Sequence, residues 1–227
     1  MEHANGMGII MATKLIFIRH GESEANAEHR FTGQSNAFGL TARGHAQAEA
    51  AGKYLRRETI DAVYASDLRR AYDTACHVAR WQERDLSVTA NPGFREIFAG
   101  AWEGKTFDEL PLLYPEDFGV WMHDIGNAVC TGGESVVQLQ LRVKAAVEAV
   151  VCSHPGQTVC IGTHATPIRV MQCIWNHLPL SEMKTVPWVP NASLTEVIYE
   201  EDLSFHDVRV GYADYLSGIM TNLPKNV

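Results

Sequence analysis

The sequence predicts a three-layer α/β/α fold, in which a mostly parallel sheet carries helices on both faces and a small helical lid insertion. Short apolar runs alternate along the chain with longer segments whose apolar residues recur at helical spacing. The short runs are apolar throughout, which is typical of strands buried on both faces of a parallel sheet. The chain has 227 residues, 46% of them hydrophobic, which is enough for one domain with a lid.

The strands and helices follow from these two periodicities. Five apolar runs are predicted to be strands: 14–18, 60–64, 86–90, 158–162 and 194–199, the last in an antiparallel position. Four segments with helical spacing are predicted to be helices: 41–57, 67–81, 134–153 and 167–177. Thr41 and Ser66 are the predicted N-caps of the first two helices, and Pro167 suits the first turn of the fourth.

The stretch 98–131 departs from this alternation. It is rich in aromatic residues and proline, and we predict a lid of short helices within a single domain, 13–227. Residues 1–12 lack the basic and long apolar regions of a signal peptide and are expected to form a disordered extension. No apolar run reaches the length of a transmembrane helix, so we expect no membrane span.

Charge and cysteine content exclude several classes of protein. The chain has 19 Lys+Arg against 27 Asp+Glu, a formal net charge of −8. Because nucleic acid and anionic membranes both need clustered cations, neither is an expected partner. The five cysteines have no C-x-x-C spacing, which argues against a disulfide framework or a zinc ribbon. We predict buried free thiols and a cytoplasmic location.

Polar residues follow the predicted strands where ligands bind in open α/β sheets, outside the carboxyl ends. His20 follows strand 14–18, and His164 follows strand 158–162. A single histidine at a strand end is more often structural. Here Arg19 and the arginines after Ser66 share the edge. Because arginine forks bind phosphate oxygens and neutral imidazole attacks phosphorus, the combination suits a phosphoryl group.

Two further residues bear on this chemistry. Glu96 follows the third predicted strand and could protonate a leaving alkoxide. The nearby arginines should disfavour the imidazolium form of His20 and keep that ring neutral near physiological pH. Arg169 lies on the fourth predicted helix, but the sequence does not fix the direction of its side chain.

The motifs around these residues resemble those of the histidine phosphatase superfamily, which includes cofactor-dependent phosphoglycerate mutase. The resemblance spans about 14–199, and five elements occur in the family's order. They are Arg19-His20-Gly21-Glu22 followed by Ser23, Asn26 and Arg30-Phe31-Thr32-Gly33; Ser66 to Thr74; Arg95-Glu96 to Gly104; Gly132 to Ser135; and Gly162-Thr163-His164-Ala165. Such an ordered set implies a phosphoglycerate mutase-like catalytic domain over 13–227.

The resemblance also implies the roles of individual residues. His20 is the implied nucleophile that becomes phosphohistidine, and Glu96 the implied proton donor. The implied ligands of the phosphoryl oxygens are Arg19, Arg70 (rather than Arg69) and His164, and the further implied substrate-binding residues are Asn26, Thr32, Gly33 and Ala165. No metal and no cofactor is expected. The family's late motif usually reads His-Gly, and Ala165 keeps the backbone N–H but disfavours a positive φ.

The charges of the lid favour hydrolysis over mutase activity. Residues 97–131 hold Lys105 and His123 as basic or potentially basic residues, against six acids: Glu103, Asp108, Glu109, Glu116, Asp117 and Asp124. Such a lid should repel a bisphosphorylated intermediate. We therefore predict a metal-independent phosphomonoester hydrolase that acts on a small phosphorylated metabolite as a monomer or homodimer.

Two alternatives stay open. One is phosphoglycerate mutase-type phosphoryl transfer, and the other is a non-catalytic phosphate-binding module on the same fold. A metal hydrolase is a weaker alternative, because no H-E-x-x-H motif occurs. Asn191-Ala192-Ser193 fits a glycosylation acceptor, and we expect this match to be incidental.

Overall fold

The structure is a computed structural model that describes residues 11–221. Its strands are β1 Thr13–Arg19, β2 Ala62–Ala65, β3 Val88–Ala90, β4 Thr158–Thr163, β5 Leu194–Tyr199 and β6 Phe205–Tyr212. They form one six-stranded sheet in the order β3-β2-β4-β1-β5-β6. The pairs β1–β4, β2–β4 and β2–β3 are parallel, whereas β5 is antiparallel to β1 and to β6. The predicted mostly parallel sheet and its antiparallel strand are confirmed.

Strand β6 was not predicted from the sequence. It lies at the edge of the sheet, and most of its residues are half-buried or exposed. Its residues, FHDVRVGY, mix charged and apolar side chains, so the strand lacks the uniformly apolar run that marks the inner strands. Charged residues on an edge strand also protect its free hydrogen-bonding groups from pairing with another chain.

Helices cover both faces of the sheet. In the described part of the chain they are α1 Glu24–Ala27, α2 Ala42–Leu55, α3 Arg69–Arg80, α4 Leu110–Leu113, α5 Pro115–His123, α6 Val136–Ser153 and α7 Ala165–Trp175. Alternate residues of β1 point to opposite sides: Ile16 and Ile18 belong to the core under α2 and α3, whereas Leu15 and Phe17 belong to the core under α6 and α7. The predicted three-layer arrangement is confirmed.

The helix starts are partly as predicted. Thr41 caps α2, and its side chain accepts the N–H of Gly44 at 3.0 Å. The predicted N-cap role of Ser66 is wrong, because α3 begins at Arg69 with Leu68 in the N-cap position. The Ser66 hydroxyl instead accepts the N–H of Leu68 and lies 2.9 Å from Nε2 of His164. Because the N-cap of α3 is Leu68, two residues after the predicted one, the Ser66 hydroxyl is free to contact the site.

The stretch 98–131 contains α4, α5 and three-residue 3-10 turns at Gly100–Trp102 and Ile125–Asn127. Its interior is aromatic. Trp102 is fully buried and packs edge-on against Phe31, Phe118 and Trp121, with ring centroids 5.4, 5.6 and 5.9 Å away. These contacts attach the lid to the segment that follows β1, so the lid lies beside the carboxyl end of the central strand.

The predicted extension, 1–12, lies outside the described residues except for Met11 and Ala12. The carbonyl of Met11 accepts the N–H of Gly156 at 3.0 Å. Across residues 11–221, the helices are too short or too polar to cross a bilayer. Asn191, Ala192 and Ser193 are buried, so the glycosylation match is incidental to the folded chain.

The cysteines correct one prediction. All five are free thiols, and Cys130, Cys160 and Cys173 are buried as predicted. Cys76 and Cys152 are exposed, because they lie on the outer faces of α3 and α6.

Candidate active site

Two histidines meet at the carboxyl end of the sheet because β1 and β4 are neighbouring parallel strands. Arg19 is opposite Thr163 in the register of this pair, so the residues that follow, His20 and His164, leave the sheet side by side. Their ring centroids lie 5.2 Å apart with the planes at 62°. The backbone N–H of His20 donates to the carbonyl of Thr163 at 2.9 Å, which fixes the start of this turn.

The ring of His20 is held in one tautomer. Its Nδ1 lies 2.7 Å from the carbonyl oxygen of Gly21. Since a carbonyl only accepts, Nδ1 carries the proton and Nε2 keeps its lone pair. Burial, together with the charges of Arg70 and Arg19, holds the pKa of His20 well below its usual value. His20 is therefore a neutral imidazole with a free nitrogen, which is the form that attacks an electrophile.

Gly21 allows this turn to lie against α2. A Cβ at Gly21 would come within 2.3 Å of the carbonyl oxygen of Gly44. Only glycine fits at such a close approach of two backbones. Glu22, the next residue, is buried and accepts the Thr41 hydroxyl at 2.8 Å and an Arg43 N–H at 3.3 Å. The turn that carries His20 is thus fixed to the start of α2.

His164 is fully buried behind this turn. Its Nε2 lies 2.9 Å from the hydroxyl oxygen of Ser66, whereas its Nδ1 has no hydrogen-bond partner. Burial and the charge of Arg70 hold the pKa of His164 well below its usual value. If the Ser66 hydroxyl donates to Nε2, the proton of a neutral His164 lies on Nδ1. His164 is then a neutral hydrogen-bond donor.

Two buried arginines complete the charged part of the site. Arg19 donates to the carbonyl of Val189 at 2.6 Å, and Arg70 donates to the carbonyls of Gly33 and Ser35 at 2.7 and 3.1 Å. Within residues 11–221 neither forms a salt bridge to a carboxylate. Burial lowers the pKa of each to about 10. Both remain cations at neutral pH, held by carbonyls alone.

Helix phase selects Arg70 over Arg69. Arg70 is 1% exposed and faces the site, whereas the Arg69 side chain is 70% exposed and pairs with Asp73 one turn along α3. Neighbouring residues on a helix point about 100° apart, so only one of two adjacent arginines can reach the sheet edge. The assignment of the site arginine to Arg70 agrees with this geometry.

Three buried nitrogens in this cluster lack partners. In the described part of the chain, the buried side-chain N and O atoms without a hydrogen bond are Nε of Arg19, Nε of Arg70 and Nδ1 of His164. Leaving a buried donor unpaired costs about 1–3 kcal/mol, and more for a charged group. Such donors are rare in folded proteins. Arg19 and Arg70 line the cavity that holds His20, and the His164 ring lies against that of His20, so these donors indicate a site for a ligand with several acceptor oxygens and negative charge.

Glu96 also lines the cavity, and it follows the 3-10 turn Pro92–Phe94. Its carboxylate accepts the N–H of Ile97 at 2.8 Å and the N–H of Thr166 at 3.3 Å. Removal from solvent raises the pKa of Glu96, and these hydrogen bonds and Arg70 only partly offset that effect. Arg142, which sequence reasoning did not identify, donates to the Glu96 carbonyl at 3.2 Å and holds this loop.

Asn26 is oriented by a residue that sequence reasoning treated as incidental. The side-chain oxygen of Asn26 accepts the N–H of Ser23 at 3.2 Å and the amide of Asn191 at 3.1 Å. Asn191 also donates to the carbonyl of His20 at 3.1 Å. Because the oxygen of Asn26 is occupied, its NH₂ group is the end available to a ligand in the cavity. Asn191 therefore links the orientation of Asn26 to the turn of His20.

Gly33 and Ala165 differ in what their backbones require. Gly33 has φ +53°, and a Cβ there would lie 2.6 Å from both the Ala99 Cβ and a Glu103 carboxylate oxygen. Ala165 is the first residue of α7 and has no positive φ. Alanine at this position therefore costs no backbone strain. The helical N-terminus directs backbone N–H groups and its dipole toward the cavity.

The cavity has a volume of about 100 Å³. Of the predicted site residues, Arg19, His20, Asn26, Thr32, Gly33, Arg70, Glu96 and Ala165 line it, and His164 lies beneath His20. Six lining residues were not predicted as site residues: Arg30, Phe31, Phe107, Trp121, Thr166 and Trp188. Arg30 and Phe31 lie within a recognised motif, and Phe107 and Trp121 lie in the predicted lid. Trp188 carried no signal in the sequence.

The acids of the lid do not line this cavity, which corrects the argument from lid charge. Three of them bind locally: Asp117 accepts the Thr131 hydroxyl, Asp124 the Asn127 amide and Glu109 the N–H of Thr106. Glu103 instead accepts the N–H of Gln34 at 2.7 Å and acts electrostatically on Arg70. The lid instead presents Phe107 and Trp121 to the cavity. Within residues 11–221, no three His, Cys, Asp or Glu side chains cluster closely enough to hold a metal ion.

Comparison with known proteins matches this arrangement to one family. The sequence profile of the histidine phosphatase superfamily (branch 1) matches residues 15–207. Phosphoserine phosphatase 1 of Hydrogenobacter thermophilus is 36% identical over 188 residues, which are 83% of this chain and 87% of that protein.

Solved structures give the same result. Bacillus stearothermophilus YhfR has a TM-score of 0.84 and 30% identity, covering 90% of this chain and 99% of that one. Mycobacterial glucosyl-3-phosphoglycerate phosphatase Rv2419c, in a complex with VO3, has a TM-score of 0.79 and 28% identity, covering 88% of this chain and 99% of that one.

Proposed function

The chain belongs to the histidine phosphatase superfamily and is a phosphatase of it, and from this premise we propose that it hydrolyses small phosphomonoesters through a phosphohistidine formed on His20, without a metal ion. The observation that carries the proposal is the set of three unpartnered buried nitrogens on Arg19, Arg70 and His164 around the free Nε2 of His20. A phosphoryl group supplies the acceptor oxygens and the negative charge that this set requires.

In the first step Nε2 of His20 attacks phosphorus. An N–P bond forms, the bond from phosphorus to the ester oxygen breaks, and protonated Glu96 gives its proton to the leaving oxygen. Charge on the three remaining oxygens is stabilised by Arg19, Arg70 and the Nδ1–H of His164, with the Asn26 amide as a further donor. These groups are held before substrate arrives, so little reorganisation is needed in the transition state.

In the second step water attacks the phosphohistidine in line with the N–P bond. The Glu96 carboxylate accepts a proton from this water as the N–P bond breaks, and inorganic phosphate leaves. Nε2 of His20 recovers its lone pair and Glu96 its proton, so the site is ready for the next substrate. The hydrogen bond from Nδ1 to Gly21 holds the ring in place through both steps.

The lining of the lid supports hydrolysis over a mutase reaction. A mutase must hold a bisphosphorylated intermediate for a second transfer, which calls for cations on the leaving-group side. In the described lid, 98–131, the residues that reach the cavity are Phe107 and Trp121, and neither is charged. Arg30 also lines the cavity from outside the lid, and its guanidinium is paired with Glu28 and donates to the carbonyl of Gly104. The similarity to proteins named phosphoserine phosphatase and glucosyl-3-phosphoglycerate phosphatase supports a small phosphorylated metabolite as substrate. A cytoplasmic location belongs to the same proposal.

Release of inorganic phosphate from a panel of phosphomonoesters, with a chelator present, tests this function. We expect turnover of at least one class of ester and no loss of rate on adding the chelator. A protein that binds phosphate, as judged by thermal stabilisation, but releases none from any ester would instead be a non-catalytic module.

Replacing Glu96 by glutamine should affect esters according to their leaving groups. Loss of the proton donor is expected to lower kcat/KM, which reports the first step and not the later attack of water, by about 10²–10⁴-fold for alkyl phosphates, whose alkoxides leave poorly, and much less for aryl phosphates. Values of kcat/KM on ethyl and p-nitrophenyl phosphate measure this difference. Glu116→Gln, at an exposed lid carboxylate, is the control. Equal losses on both esters would show that Glu96 is not the leaving-group acid.

The pH dependence follows from the two shifted pKa values. The first step requires neutral His20, whose pKa lies below its usual 6.5, and protonated Glu96, whose pKa lies above its usual 4.5. The value of kcat/KM should therefore fall on the acid side as His20 gains a proton, and on the basic side as Glu96 loses one. In Glu96→Gln the fall of kcat/KM on the basic side should disappear. Ionisation of the substrate affects wild type and the variant alike, so it does not account for a difference between them. An unchanged basic limb would contradict the assignment.

A further inference from the structure

Arg169 is a buried cation that takes no part in the proposed chemistry. Its contact with Trp188, a residue of the cavity lining, bears on which leaving group the enzyme accepts. We propose that Trp188 is the surface on which the enzyme recognises a planar, apolar leaving group, and that Arg169 positions this ring. The inference rests on the proposed function, and it adds the class of substrate: phosphomonoesters with a flat ring one or two bonds from the ester oxygen.

Arg169 has an unusual environment for a charged residue. It projects from α7, is 5% exposed, and forms no salt bridge within the described residues 11–221. Its Nε donates to the carbonyl of Val186 at 3.1 Å, and its guanidinium carbon lies 4.2 Å from the centroid of the Trp188 ring. Burying an arginine is costly unless its charge is compensated. Here a carbonyl and an aromatic face provide the compensation.

The segment that carries Trp188 is fixed on both sides of the ring. Gln172, also on α7, donates to the carbonyl of Pro187 at 3.0 Å. The carbonyl of Val189 accepts an N–H of Arg19 at 2.6 Å. The backbone before and after Trp188 is therefore held by α7 and by a phosphate-binding residue. Such a segment sets the ring at a defined distance from the reacting phosphorus, as a recognition element must be.

Trp188 is half-buried and lines the cavity together with three other aromatic residues. Two come from the lid, Phe107 and Trp121, and both pack on Phe31 with ring centroids 5.7 and 5.1 Å away. The aromatic wall is thus built from three separate parts of the chain. Flat apolar groups gain both burial and favourable ring geometry against such a wall.

The size of the cavity limits the group that it can take. Its volume of about 100 Å³ must hold the phosphoryl group and the first part of the leaving group. An apolar cavity of about 150 Å³ holds one benzene molecule, so this smaller cavity has no room for a ring beside the phosphoryl group, and a ring on the ester must lie at its mouth. A stacked ring that contributes about 1.4 kcal/mol corresponds to a tenfold preference.

The test compares benzyl phosphate with ethyl phosphate. Both release an alkoxide and so make a similar demand on Glu96, but only benzyl phosphate carries a ring. We expect wild type to favour benzyl phosphate in kcat/KM by about tenfold. Cyclohexylmethyl phosphate separates flatness from apolar bulk, and it should fall between the other two.

Trp188→Ala should lower the benzyl-to-ethyl ratio by about tenfold, mainly through KM, and Trp188→Phe should keep most of it. Arg169→Gln should lower the ratio in the same direction, with Arg169→Lys intermediate, because lysine keeps the charge but not the planar fork. Phe98→Ala, at an aromatic residue outside the cavity lining and 44% exposed, is the matched control and should leave the ratio unchanged.

Competitive inhibition of wild type by benzylphosphonate and ethylphosphonate measures the same preference for a ring as a ratio of inhibition constants. This measurement needs no variant, so a folding defect cannot affect it. Equal inhibition by the two phosphonates, or equal losses on both esters in Trp188→Ala, would overturn the role of Trp188. A ratio that Arg169→Gln leaves unchanged would overturn the positioning role of Arg169. If wild type hydrolyses neither these esters nor any other, the proposed function itself fails.

Discussion

Replacing His20 by alanine is expected to lower kcat by at least about 10⁴-fold on every phosphomonoester that wild type hydrolyses. Alanine removes the nitrogen that forms the bond to phosphorus and leaves only the anion-binding groups. These groups can still bind substrate, so phosphate should continue to raise the melting temperature of the variant. The expected result is therefore binding without turnover, measured by phosphate release and by thermal unfolding.

The control is His123→Ala, which removes an exposed histidine of the lid. It should retain the activity of wild type, because His123 is exposed and does not line the cavity. Activity of His20→Ala equal to that of wild type would remove His20 from the mechanism. Loss of activity in both variants to the same degree would point to a general effect of histidine loss on folding.

Arg70→Gln is expected to have the second largest effect, a fall in kcat/KM of about 10²–10³-fold. The side chain is buried, lies beside both histidines and brings a fixed positive charge to the phosphoryl oxygens. Arg70→Lys should recover little, since a point charge cannot replace the fork that also binds the carbonyls of Gly33 and Ser35.

Arg69→Gln provides the control for this prediction. It makes the same chemical change one residue earlier on α3, at a side chain that is 70% exposed and pairs only with Asp73 among the described residues. The rate should change by less than about twofold, as expected for an exposed ion pair. Equal effects of the two substitutions on kcat/KM would contradict the geometry that assigns Arg70, and not Arg69, to the phosphoryl group.

The central part of the fold was predictable because its signals are local and strong. β1 and β4 are uniformly apolar, and in a parallel sheet such strands bring their carboxyl ends together. That rule places His20 and His164 at the same edge of the sheet. Their contact also requires β1 and β4 to be neighbours, which only the strand order of the structure shows. β6 was missed because an edge strand is half exposed, so its residues alternate less clearly and include charges.

Errors at the site came from contacts between residues far apart in sequence. Ser66 has the residue type and position of an N-cap, but its hydroxyl contacts His164, 98 positions later. The sequence around Asn191 matches only a glycosylation acceptor, although Asn191 orients Asn26 from 165 positions away. Trp188 reaches the cavity because Arg169 and Gln172 hold its loop. Local sequence patterns do not contain such distant pairings.

The charge of the lid shows a different kind of error. Counting six acids correctly described the composition of the segment but not the direction of its side chains. In the structure the lid residues that line the cavity are Phe107 and Trp121, and of the six acids Glu103 acts electrostatically on Arg70. The preference for hydrolysis now rests on the absence of a lid cation among the lining residues of the described chain, rather than on repulsion by carboxylates.

The stereochemical course at phosphorus tests the central claim most directly, because it does not depend on whether an intermediate accumulates. The substrate is a phosphorothioate monoester made chiral by oxygen isotopes, hydrolysed in water that carries a third oxygen isotope. Each in-line displacement inverts phosphorus, so transfer to His20 followed by transfer to water predicts net retention. Net inversion would show that water attacks the ester in a single step and would contradict a phosphohistidine on His20.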